Sequence, residues 1–139
     1  MKTAYPALFE WDEDDKAYNV SFPDLPGCLT FGETQEEAEN MAADALSGYL
    51  MSVIDRGLTY NEPSLIKDSV MIEPAPSVAF ALWLRSKRKA SGLTLTDVAD
   101  KLGVKYQVYQ KLENPETANP TLKTLKRLEK VFGEVLVGV

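Results

Sequence analysis

Residues 92–114 read GLTLTDVADKLGVKYQVYQKLEN, and this stretch decides the fold of the half of the chain around it. Thr94 followed three residues later by Asp97 is a helix start, because each side chain can accept a backbone N–H that the first turn leaves without a partner. Val98, Ala99 and Leu102 then recur at helical spacing, and Gly103 supplies the stop, since glycine tolerates the positive φ that closes a helix. Very few residues separate this helix from a second one over 105–113. A glycine at so short a corner lets two helices meet at a steep angle. Ala99 falls at the crossing, where the residue must be small, and Val104, Tyr109 and Leu112 hold the second helix in place. Pro115 prevents its extension.

Outward from this corner the pattern stays helical. Ser77 is placed to cap a helix carrying Phe80, Leu82, Leu84 and Lys87 that Gly92 ends. Thr121 caps a last helix through Leu122, Leu125, Leu128, Val131 and Phe132 to Gly133. Four helices therefore fit from Ser77 onward, with the arrangement of a helix-turn-helix in the middle. The tail Glu134–Val139 (EVLVGV) is apolar and β-branched. It suits a strand that either pairs across a twofold axis or tucks against its own domain.

Gly92–Ala99, Leu102-Gly103-Val104, Leu112-Glu113-Asn114 and Asn119-Pro120-Thr121-Leu122 together resemble the Cro and phage-repressor type of helix-turn-helix. The resemblance implies that helix 105–113 enters the major groove of DNA. It presents Lys105, Tyr106, Gln107, Gln110 and Lys111, with Thr94 at the head of the preceding helix as a further contact. Glutamine suits adenine, and lysine suits guanine or phosphate. One departure is Leu95, which stands where that family usually has a glutamine touching phosphate. Because one such module reads about half a site, the resemblance also implies a homodimer, with a tetramer as an open possibility.

Charge is divided in the same way. The 139 residues carry 15 basic and 21 acidic side chains, a net of -6. Residues 1–76 hold 4 basic and 15 acidic groups, a net of -11, and residues 77–139 hold 11 basic and 6 acidic, a net of +5. The first half repels phosphate and the second attracts it, an asymmetry that points to nucleic-acid binding by the second half alone.

The rest of the composition excludes several classes. One cysteine and no histidine leave no internal disulfide, no zinc or iron–sulfur site and no Ser-His or Cys-His nucleophile. No cofactor or metal is expected. The start MKTAYPALFEWDEDD lacks an apolar run of signal length, so the expected location is the cytoplasm.

In the first half, Tyr5–Trp11 and Ala17–Phe22 are short, aromatic and partly alternating, and the acidic turn 12–15 separates them as in a β-hairpin. Pro23-Asp24-Leu25-Pro26-Gly27 forces a bend, and a short strand Cys28–Phe31 follows. Thr34 and Glu37 form a capping box for a helix to Arg56, with Ala38, Ala42, Ala45, Tyr49 and Val53 on its apolar face and Gly57 as its stop. Val20, Phe22 and Leu8 are expected against those alanines. Val70–Glu73 makes the last strand, and Pro74-Ala75-Pro76 marks a boundary.

The expected fold class is α+β: a small β-β-β-α-β domain over 1–73, a linker at 74–76, and an all-α helix-turn-helix domain over 77–139 for DNA binding and dimerisation. Tyr5–Leu8, Tyr18–Cys28 and Gly32–Ala38 resemble the HicB antitoxin family, which implies a reduced RNase H-like fold. The resemblance further implies that the first domain binds a HicA-like small basic toxin that cleaves messenger RNA, while the second represses the chain's own operon. Glu10, Asp12, Asp24 and Leu25 are the candidate toxin contacts. Carboxylates crowded into a hairpin tip and a proline bend do not suit two-metal chemistry, which argues against an enzyme. A transcriptional regulator whose first domain senses a small molecule is the alternative.

Overall fold

The computed structural model describes residues 3–133; the tail 134–139, weighed above as a strand, lies outside them. Backbone contacts divide the chain between Pro76 and Ser77 into two units.

The first unit is built on a hairpin, β1 (Tyr5–Asp12) against β2 (Ala17–Ser21). Its tip closes because the Asp12 carboxylate accepts the backbone N–H groups of Asp14 and Asp15, at 2.9 and 3.1 Å. The proline bend returns the chain as β3 (Leu29–Gly32), which pairs with β2, and β4 (Val70–Ile72) adds to the far side of β1. All pairings are antiparallel and the order is β3-β2-β1-β4. A β-β-β-α-β order with one helix, α1 (Gln35–Arg56), agrees with the sequence expectation.

Side chains alternate across a strand, so each strand sends half its residues to each face. Tyr5, Ala7, Val20, Phe22 and Ile72 are buried. They occupy the face that α1 covers with Ala38, Ala42, Leu46, Leu50 and Ile54. This stripe differs from the expected one, because Ala45 and Tyr49 lie beside it, half-buried. The covering row runs at intervals of four and so takes in the two large leucines. Leu8 also departs from expectation. It pairs with Ser21 while Phe9 pairs with Val20, so Leu8 faces the opposite side of the sheet from Val20 and is only half-buried. Small residues set the helix start: a Cβ on Gly32 would stand 2.4 Å from the backbone nitrogen of Ala38.

The second unit holds α2 (Pro76–Ala90), α3 (Leu95–Leu102), α4 (Tyr106–Leu112) and α5 (Leu122–Phe132). Pro76 opens α2 itself, in place of a cap at Ser77, because its fixed φ and missing N–H suit a first helical position. Trp83, Leu84, Val98, Ala99, Leu102, Tyr109, Leu112 and Leu128 make one core, with Phe80, Val104, Val131 and Phe132 packed on its margin. Leu122, expected on the apolar face of α5, is 72% exposed because it stands in the first turn, ahead of the core that Leu128 enters.

Candidate nucleic-acid interface

The corner between α3 and α4 is fixed at both ends. At the head of α3 the Thr94 hydroxyl accepts the Asp97 N–H at 3.1 Å, and the Asp97 carboxylate accepts the Thr94 N–H at 2.8 Å. These hydrogen bonds hold the Asp97 carboxyl below the usual aspartate range. At the other end Gly103 takes φ +72°, and the Val104 N–H reaches back to the Ala99 carbonyl at 3.0 Å. That left-handed residue satisfies the end of α3 and redirects the chain into α4.

Tyr109 and Leu112 anchor one side of α4 in the core. The other side carries Tyr106, Gln107, Gln110 and Lys111, all exposed, with Lys105 exposed at the N-cap. At the helical repeat these four side chains form one contiguous strip. The structure thus brings together five of the six DNA-contact candidates, and Thr94 stands exposed at the start of α3. Leu95, the departure from the phage-repressor pattern, packs on the margin of the core. An apolar side chain so placed has no hydrogen bond to offer a phosphate.

Beneath the strip lies a constellation that sequence reasoning missed. Arg88 of α2 donates from Nε to Glu113 Oε2 at 2.7 Å and from Nη2 to Oε1 at 3.1 Å, and its Nη1 donates to the Leu93 carbonyl at 3.3 Å. Glu113 is the C-cap residue of α4 and is buried. The Glu113 hydrogen bonds raise the Arg88 guanidinium above its ordinary value against the opposing effect of burial. The Tyr109 hydroxyl, also buried, makes no hydrogen bond, and burial, followed by the Glu113 carboxylate, pushes its ionisation far above the ordinary tyrosine range. The one local signal was an acidic residue directly after Leu112; its partner is 25 positions away.

The candidates in the first unit do not converge. Leu25 is 1% exposed and belongs to the core. Both carboxylate oxygens of Asp24 are taken by Ser64, from its N–H at 2.9 Å and its hydroxyl at 2.7 Å. Asn61 donates to the Asp24 carbonyl at 2.9 Å, and the Tyr5 hydroxyl donates to the Asn61 carbonyl at 2.7 Å. Asp24 therefore ties the proline bend to the segment that leads into β4. Glu10 and Asp12, by contrast, lie on the sheet face that α1 leaves open. Cys28 is buried, which pushes its thiol up to about 11. Among the described residues no three acidic, cysteine or histidine groups are placed to hold a metal ion, and no helix is long and apolar enough to cross a membrane.

A capped α3, a left-handed glycine and an exposed polar α4 define a helix-turn-helix domain, here joined to an acidic sheet domain. Residues 84–135 match the helix-turn-helix family, and residues 5–84 match the family described as HicB-like antitoxin of bacterial toxin–antitoxin systems. The chain belongs to that HicB-like antitoxin family. It is similar to two proteins of Photorhabdus laumondii. One, Antitoxin HicB 1, is 35% identical over 103 residues, 74% of this chain and 65% of the relative; the other, Antitoxin HicB 2, is 33% identical over 108 residues, 78% and 76%. The chain thus spans just under two thirds of the length of the first.

Proposed function

We propose that this chain is the antitoxin of a toxin–antitoxin pair. Its second domain, 77–139, binds operator DNA and represses its own operon, and its first domain, 1–73, binds and neutralises a HicA-like small basic toxin that cleaves messenger RNA. The observation that carries the DNA reading is the Gln/Lys strip of α4. It is held outward by Tyr109 and Leu112 on a unit whose charge is opposite to that of the rest of the chain. Gln107 and Gln110 read base edges, Lys105 and Lys111 serve phosphates or guanine, Tyr106 and Thr94 add contacts at the two helix starts, and two copies place their strips one helical turn apart.

Charge supports the toxin reading. A protein that handles RNA presents a positive surface, and a domain of net -11 attracts and covers it. Glu10 is exposed and placed to meet such a partner, Asp12 holds the hairpin tip beside it, and Asp24 and Leu25 serve by shaping the bend. The role is non-catalytic, needs no cofactor, and belongs in the cytoplasm, where both DNA and messenger RNA are found.

The test is a titration of the full chain with its own promoter over a range of salt, in the presence and absence of the co-expressed toxin. Affinity that falls steeply with salt, together with loss of toxin activity in the complex, is the expected result. Promoter binding no tighter than to random DNA, or a toxin left fully active, overturns the corresponding half.

A further inference from the structure

The register of the sheet places three rows of side chains on the face away from α1. Pairing sets Glu10 beside Asn19 and Asn19 beside Phe31; next to that row run Leu8, Ser21 and Leu29; beyond it Met71 adjoins Pro6. Leu29 is 67% exposed, Phe31 62% and Met71 54%. Leu29 and Phe31 stand side by side on edge strand β3, with Met71 at the opposite edge on β4; two large apolar side chains left adjacent in water are unusual in a protein that works alone, because their exposure forfeits the free energy of burial. None of the four strands contains a lysine or arginine. The charges that this face does carry, Glu10 and Asp12, are both acidic.

We infer that this open face, centred on Leu29, Phe31 and Glu10, is the docking surface for the toxin, a small basic protein that lays an apolar patch over β2 and β3 with cations toward Glu10 and Asp12. The inference rests on the toxin-binding reading above and locates it. Charge selects the occupant: a second copy of the same face would set carboxylates against carboxylates on domains of net -11, and nucleic acid would be repelled outright. Apolar contact supplies the affinity and the acids set orientation and encounter rate.

The test uses the full chain and the basic protein that co-purifies with it on co-expression with its genomic neighbour, with affinity measured by calorimetry. Phe31→Asp and Glu10→Lys, both at exposed positions, are each expected to weaken the complex by about 30-fold or more, leaving operator affinity and the thermal transition unchanged. Tight binding by the wild type with equal binding by both variants overturns this face and leaves the antitoxin reading standing. A wild-type chain that binds no such protein overturns the reading itself. A variant that loses self-association while keeping its toxin affinity assigns the face to a second copy and overturns the inference.

Discussion

Arg88 grips the carboxylate of Glu113 through two parallel hydrogen bonds of 2.7 and 3.1 Å, joining α2 to the residue that ends α4. A planar guanidinium and a carboxylate matched in this way fix orientation as well as distance. The pair holds the C-terminal end of α4 while Tyr109 and Leu112 hold its side, so the aim of the exposed strip depends on it.

Removing Arg88 leaves the buried Glu113 carboxylate without its partner, and removing Glu113 leaves the half-buried guanidinium with only the Leu93 carbonyl. Arg88→Ala is expected to destabilise the second domain by about 3 kcal/mol, and Glu113→Ala by a similar amount. Arg88→Met combined with Glu113→Leu should recover most of that loss, because an apolar pair carries no desolvation penalty. Urea denaturation of the wild type, the two alanine variants and the Arg88→Ala/Glu113→Ala double variant measures the coupling. Strictly additive losses would show that the pair makes no energetic contribution.

Gly103 and Gly32 are needed for different reasons. At Gly103 an added Cβ meets nothing within 4 Å, so Gly103→Ala costs only the left-handed backbone, about 1–2 kcal/mol, and Gly103→Asn less. At Gly32 the added Cβ runs into the backbone of Ala38, which cannot swing aside, and Gly32→Ala is expected to cost about 3 kcal/mol. Thermal denaturation that ranks Gly103→Ala as the more damaging would contradict this assignment.

Most of the architecture was legible because its signals are local. The Thr94–Asp97 box, Gly103 and the spacing of Val98, Ala99 and Leu102 each act within one or two turns, and α3 forms where they place it. What failed was long-range. The buried row of α1 passes through Leu46 and Leu50 because of where the sheet lies, and Leu8 turns outward because of the hairpin register; neither is set by neighbouring residues. Arg88 finds Glu113 across 25 positions, and Asp24 finds Ser64 across 40. An acid that looks available for a partner in sequence is thereby engaged within its own domain.

Two of the six tyrosines are expected to resist alkali. Burial raises the ionisation of Tyr5 and of Tyr109 well above the ordinary value of 10.0. A group whose folded pKa is raised contributes stability in full below its unfolded value and loses it as the pH climbs toward the folded one. Both domains should therefore be insensitive to these tyrosines near neutrality and begin to weaken from about pH 10. Phenolate absorbance should show Tyr5 and Tyr109 ionising only with unfolding, each signal being lost in the corresponding phenylalanine variant. Ionisation of Tyr5 and Tyr109 before the loss of circular dichroism would refute it. Tyr109→Phe, which removes a buried hydroxyl without a hydrogen bond, should be neutral or stabilising and should extend the second domain's tolerance of alkali.

The strip on α4 makes a prediction that separates reading from holding. If Gln107 and Gln110 meet base edges, alanine at either costs about 1–3 kcal/mol on the preferred operator and little on sequences already mismatched at that position, so preference relaxes while weak binding persists. Lys111→Ala is expected to lower affinity for every sequence alike and to reduce the slope of log affinity against log salt by about 0.9 for each bound copy, one phosphate contact fewer per copy. The two kinds of change are distinguishable in one set of titrations across operator variants and salt, because a misfolded domain would lose both preference and affinity together. Arg88→Ala supplies the comparison: its guanidinium is engaged by Glu113 and the Leu93 carbonyl, so its loss, by loosening the end of α4, should weaken specific binding more than non-specific binding and leave the salt slope unaltered. Identical operator binding by Gln107→Ala, Gln110→Ala and Lys111→Ala would remove α4 from the interface.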